Sequence, residues 1–156
     1  MDKLLFVVVF YSFSLVCFSQ GAIPVYDIDH SWGGNKADYL MDIFQEEKDY
    51  SIISAGYSFS SNNQDVSAIN NGLSDYWIVK ADTGGNIMYE KLFGADSSDN
   101  LSVLIPVGFD ADNGYLLAGS SASGRNGDKS EESKGGFDYW IVKIDAAGNK
   151  EWDKTI

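Results

Sequence analysis

The hexapeptide Asp75-Tyr76-Trp77-Ile78-Val79-Lys80 recurs as Asp138-Tyr139-Trp140-Ile141-Val142-Lys143, 63 residues further along the chain. The likeness extends well beyond it. Laid without a gap, Ala55–Phe93 matches Ala118–Ile156 at 18 of 39 positions. Duplication on this scale makes each copy one supersecondary unit that buries its apolar surface against the next. It constrains architecture far more than function, because what recurs in every copy is what a shared scaffold needs.

Each copy holds four β-like segments. They are Asp38–Gln45, Tyr50–Ser58, Tyr76–Ala81 and Ile87–Phe93 in the first, and Leu101–Phe109, Tyr115–Ser120, Tyr139–Ile144 and Lys150–Ile156 in the second. They are short, rich in Val, Ile, Tyr, Trp and Phe, and separated by Gly, Asn, Asp and Ser. No stretch sustains the apolar spacing of an amphipathic helix. Asp38–Gln45 has room for a helical turn or two, but Pro106 in its repeat partner argues for strand.

The connections carry their own signals. Asp82-Thr83-Gly84-Gly85-Asn86 and Asp145-Ala146-Ala147-Gly148-Asn149 read as tight hairpins, with Asp bonding back to the turn and Gly85 and Gly148 taking positive φ. Between the second and third strands comes a longer loop of equal length in both copies, Phe59–Ser74 and Ala122–Phe137. A loop of that length in a compact domain is often functional.

The third strand is apolar on both sides until its Lys, which suits sheets stacked on sheets. The expected fold is all-β: two four-stranded antiparallel blades of the propeller type, at 38–93 and 94–156. A β-sandwich and a β-solenoid are the other architectures considered. Trp32-Gly33-Gly34 corresponds to Phe93-Gly94-Ala95, so Val25–Trp32, within the segment 20–37, reads as a partial N-terminal strand. Two blades and one strand do not close a ring, so the expectation is a fragment of a larger propeller.

The first 19 residues have a different character. Lys3 precedes an uncharged run from Leu4 to Phe18, followed by Ser19-Gln20-Gly21. A basic start, an apolar core and a small-residue exit describe a secretory signal peptide at 1–19. The run is shorter than the roughly 20 residues of a bilayer span. Cys17, the only cysteine, falls inside it, and bulky Val16 before it argues against lipidation there. The expected location is secreted or cell surface. Without residues 1–19 the chain has 10 basic against 22 acidic residues, still −12. That field repels nucleic acid and anionic membrane surfaces, so neither is an expected partner.

The string Asp-Tyr-Trp-Ile-Val-Lys-x-Asp-x-x-Gly-Asn, then aromatic-x-Lys, Phe-Gly and Gly-Tyr-x-x-Ala-Gly, is carried by Asp75–Lys80, Asp82, Gly85, Asn86, Tyr89, Lys91, Phe93 and Gly94. The second copy carries it on Gly114, Tyr115, Ala118, Gly119, Asp138–Lys143, Asp145, Gly148, Asn149, Trp152 and Lys154. It resembles the tandem propeller-like repeats of large secreted and cell-surface proteins of Bacteroidetes-type bacteria. The resemblance covers about 38–156, with 24–34 as a partial repeat. It implies an extracellular binding or spacer module.

Signals for catalysis are sparse. The single histidine, His30, lies in the partial repeat, and there is no G-x-S-x-G elbow, Walker A motif or dinucleotide fingerprint. Asp75/Asp138 and Asp82/Asp145 recur in both copies, as structural residues do. No catalytic residue and no cofactor are assigned. Calcium is the metal considered, since carboxylates and backbone oxygens suit a hard cation. The candidates are Asp110 and Asp112 in Asp110-x-Asp112-Asn113-Gly114, and the positionally matched loop residues Asp65 and Asp128. The alternative roles are a tight turn and self-capping loops. Trp77, Trp140, Tyr76 and Tyr139 are expected in the core between blades. Tyr57 and Phe59, at the mouth of the first long loop, are candidates for stacking on a sugar ring.

The expected function is thus a secreted, non-enzymatic propeller-type repeat module, partnered by neighbouring blades of a longer chain and by a glycan or protein ligand. The alternatives are a carbohydrate-binding module, possible with calcium, attached to a polysaccharide-degrading enzyme, and part of a hydrolase completed by further blades.

Overall fold

A computed structural model describes residues 30–156. The expected signal peptide, Cys17 and residues 25–29 of the expected N-terminal strand lie outside the described residues; His30–Trp32 carry no strand pairing. The chain is all-β. Strands β1 (Asp38–Gln45), β2 (Ile52–Ser58), β3 (Asp75–Ala81) and β4 (Ile87–Phe93) form one sheet in chain order. Strands β5 (Asp99–Pro106), β6 (Tyr115–Ser121), β7 (Asp138–Ile144) and β8 (Lys150–Thr155) form a second in the same order. Every neighbouring pair is antiparallel.

Several strand limits differ from the sequence expectation by one to three residues, and at two of them the backbone supplies the reason. β2 starts at Ile52, because Tyr50 has φ 59 and the Asp49 carboxylate accepts the Ser51 N–H at 2.9 Å, closing a turn. β5 stops at Pro106, short of Phe109. Gly108 turns at φ 84, and Phe109–Ala111 form a 3-10 turn with Asp110 and Ala111 at positive φ. Phe109 consequently lies outside the sheet and 80% exposed.

The hairpins fold as their sequences indicate. Asp82 Oδ1 accepts the N–H groups of Gly84 and Asn86, both at 2.9 Å. Asp145 Oδ1 accepts those of Ala147 at 2.9 Å and Asn149 at 2.8 Å. Gly85 (φ 80) and Gly148 (φ 81) supply the left-handed residue of each turn. The first strand pair of each sheet carries a bulge, between Leu40 and Asp42 and between Leu101 and Val103. The bulges press backbone against Gly56 and Gly119: a Cβ there would lie 1.7 Å from the Tyr39 carbonyl oxygen and 2.1 Å from that of Asn100.

Alternation along β3 and β7 decides how the sheets meet. Tyr76 and Ile78, with Ile53, Ala55 and Phe93, face the second sheet. Leu101, Leu104, Tyr115, Leu117, Trp140, Val142 and Ile144 answer from the other side, and these residues form the main core. So the tyrosine side of the first sheet lies on the tryptophan side of the second. Trp77 departs from the sequence expectation. It points away from the second sheet, into a smaller cluster with Val66, Val79 and Leu92, covered by Trp32 and Ala68. Tyr139 likewise leaves the core and is 73% exposed, because no sheet covers its side of β7.

Candidate functional site

The long loops are pinned, and their recurring acids do the pinning. Asp65 Oδ2 accepts the Gly33 N–H at 3.2 Å, while Asp65 N–H donates to the Gly33 carbonyl at 3.3 Å. In the second copy Asp128 Oδ2 accepts the Gly94 N–H at 3.1 Å, and Asp128 N–H donates to the Gly94 carbonyl at 2.9 Å. Each loop is thereby clipped to the turn that leads into its own sheet. Ser60 and Ser123 repeat the device, accepting Lys36 N–H at 3.1 Å and Ser97 N–H at 2.9 Å. Asp38 and Asp99 brace the same turns by accepting Gly34 N–H at 2.7 Å and Ala95 N–H at 2.8 Å.

These loops are therefore anchored at buried points along otherwise exposed stretches. Val66, Ser60 and Ser123 are buried, as is Lys129, whose ammonium donates to Ser121 Oγ at 3.0 Å and to the Ser123 carbonyl at 2.7 Å. Trp32 packs on the smaller cluster one residue before its Gly-Gly turn, as Phe93 packs in the main core before Gly94-Ala95.

Asp110 and Asp112 do not converge on a common point with Asp65 or Asp128. Asp110 accepts the N–H groups of Glu47 and, at 2.6 Å, Lys48, joining its turn to the β1–β2 turn. Asp112 pairs with Lys48 at 3.5 Å. Among the described residues, no group of three or more His, Cys, Asp or Glu side chains is placed to hold a metal ion.

Tyr57 and Phe59, in contrast, come together, and Tyr39 joins them. Tyr39 and Tyr57 stack with centroids 4.9 Å apart and planes 18° apart; Phe59 stands edge-on to both, at 6.3 Å and 6.2 Å. Tyr39 is 48% exposed and the other two are half-buried. The second sheet carries Asn100, Ser120 and Ala122 at the matching places. The cluster belongs to one copy only. On the opposite side of the same sheet, His30, Trp32, Leu40, Ile43, Trp77 and Val79 line an open cavity of about 320 Å³.

Two buried polar groupings had no clear sequence signal. Glu46 is fully buried between the sheets. Its Oε1 accepts Lys80 Nζ at 2.6 Å and the Tyr115 hydroxyl, and its Oε2 lies 3.1 Å from Lys48 Nζ. Burial works to raise its carboxyl, and the bonds from Lys80, Tyr115 and Lys48 outweigh that, holding it below the ordinary carboxylate range. The other grouping is Asp75, Asp99 and Asp128, at the junction of the sheets. Burial pushes Asp75 up to about 7, with Asp99 and Asp128 adding repulsion. Burial also raises Asp128, against the Gly94 N–H and Lys150. Finding this grouping required a shift in the repeat register. The β5–β6 turn is two residues longer than its counterpart, so Asp99 answers Asp38 at an offset of 61 rather than 63.

No protein-family model and no curated protein matches the chain.

Proposed function

We propose that this chain is a non-enzymatic repeat module of the propeller type, serving as an extracellular binding or spacer region of a surface protein. The observation that carries the reading is the fate of the recurring polar residues. Asp38/Asp99, Asp65/Asp128, Asp82/Asp145 and Ser60/Ser123 each commit one oxygen to a backbone N–H group of a turn, at closely similar distances in both copies. Residues occupied in this way build a scaffold; they do not present a nucleophile and base to a substrate. Function then belongs to what does not recur.

The Tyr39–Tyr57–Phe59 cluster is the non-recurring feature that favours a second, narrower reading: a carbohydrate-binding module. The stack leaves Tyr39 48% exposed, with an aromatic ring of the kind that accepts the C–H face of a pyranose. The test is a polysaccharide and glycan panel, probed with the purified chain in calcium and in EDTA. Retention that Tyr57→Ala lowers supports the sugar reading, and calcium dependence of that retention would assign a metal. Binding to no glycan leaves the protein-ligand or spacer role. Release of reducing ends from any polysaccharide would overturn the non-enzymatic reading.

A further inference from the structure

We propose that Asp75 is held as a carboxylic acid at the junction between the two sheets, next to the buried Asp99, so that the junction tightens in acid and loosens when the Asp75 proton leaves. A parallel bridge between Ser74 and Ser98 lays the starts of β3 and β5 side by side, and Asp99 N–H donates to the Ser74 carbonyl at 2.6 Å. The residue after each bridge partner is an acid, Asp75 on β3 and Asp99 on β5, and both are 0% exposed.

Each carboxylate has one oxygen engaged. Asp75 Oδ2 accepts Asn71 N–H at 2.8 Å; Asp99 Oδ2 accepts Ala95 N–H at 2.8 Å and Ser123 Oγ–H at 2.9 Å. The Oδ1 atom of each is buried with no partner. Two ionised carboxylates in this position repel each other and leave two acceptors unsatisfied. One proton removes a charge and supplies a donor, which is how closely placed buried acids ordinarily resolve the conflict.

The surrounding charges do not offer another solution. Asp128 faces the pair from its loop, with Oδ2 on Gly94 N–H. Lys150 donates to the Asp128 carbonyl and pairs with Asp153 at 2.7 Å. Lys129 is spent on Ser121 and Ser123. Asp138, the repeat counterpart of Asp75, makes the contrast: Lys134 N–H and Ser133 Oγ hold it below the ordinary range.

The sign follows from the raised position of Asp75. Between the ordinary carboxylate range and about 7, the folded chain keeps a proton that the unfolded chain has lost. Stability therefore falls as pH rises through that window and levels off above it.

The experiment measures thermal midpoints of the wild type, Asp75→Asn and Asp138→Asn from pH 5 to 8.5, with side-chain carboxyl ¹³C titration of the wild type. The wild-type midpoint should fall as pH rises. Asp75→Asn should melt higher than wild type at pH 8 with a shallower slope, and Asp138→Asn should keep the wild-type slope. The Asp75 carboxyl resonance should titrate near 7. If Asp75→Asn does not fold, that titration decides alone. An Asp75 resonance titrating in the ordinary carboxylate range, or an unchanged slope in Asp75→Asn, overturns the proposal. So does a rise in the wild-type midpoint with millimolar Ca²⁺ at pH 8 that Asp75→Asn lacks, which would make the pair a cation site.

Discussion

The Tyr76 hydroxyl donates to the main-chain carbonyl of Trp140 at 3.0 Å, and the two rings lie 4.9 Å apart at 45°. Both residues come from the duplicated hexapeptide, but from different positions in it. The second residue of one copy meets the third of the other. The contact is therefore heterologous, with unlike surfaces meeting, in contrast to a two-fold interface where each surface meets itself.

That asymmetry gives opposite outcomes at equivalent positions. Trp140→Ala should cost about 3–5 kcal/mol, the usual loss for a buried large aromatic. Tyr76→Phe should cost about 1 kcal/mol, the net worth of one hydrogen bond. Tyr139→Phe, on the exposed counterpart, should stay within about 0.5 kcal/mol of wild type. Urea unfolding of the three variants checks the set, and equal losses at Tyr76 and Tyr139 would contradict the packing described.

Glu46→Ala should be among the most damaging single changes. It strands Lys80 and the Tyr115 hydroxyl in the interior, and breaking one side of a buried ion pair costs about 3–5 kcal/mol. Because the Glu46 carboxyl is held below its ordinary range, its contribution is complete above that range and disappears as pH falls through the folded value. Glu46→Gln should accordingly lose part of the wild type's acid-side decline in denaturant midpoint.

Asp128→Ala should cost about 1–2 kcal/mol by freeing the Gly94 N–H, whereas Asp128→Asn keeps an acceptor and should cost less. Amide hydrogen exchange at Gly94 distinguishes the mechanism. It should quicken in the Ala variant and remain slow in the Asn variant.

Phe59→Ala and Tyr57→Ala should each lower retention on any glycan the chain binds by roughly twofold to tenfold, since an aromatic contact is worth about 0.5–1.5 kcal/mol beyond its buried area. Ser120→Ala, at the matching place in the other sheet, should leave retention unchanged.

How much of this was legible in the sequence depended on the kind of interaction. The strands and both Asp-Gly-Asn hairpins were readable because alternation and turn chemistry are local. β5 was overextended because Val107 and Phe109 look strand-like, while the deciding element was the left-handed backbone at Gly108 and Asp110. The long loops read as candidate calcium sites or as loops capping themselves. Their Asn, Ser and Asp side chains instead bond to backbone many residues away, which composition does not reveal. Tyr57 and Phe59 were recognisable as a pair, whereas Tyr39 joins them only through the β1–β2 register. The acids at the junction were hidden by the two-residue slip between copies.

A stack whose contacts have a front and a back grows by one rule. A further copy placed after the second would meet Tyr139 and Ile141 as the second meets Tyr76 and Ile78, and would leave its own tyrosine side bare in turn. Duplication can thus lengthen such an array without inventing a new interface, and each added unit passes the same greasy surface on to its successor.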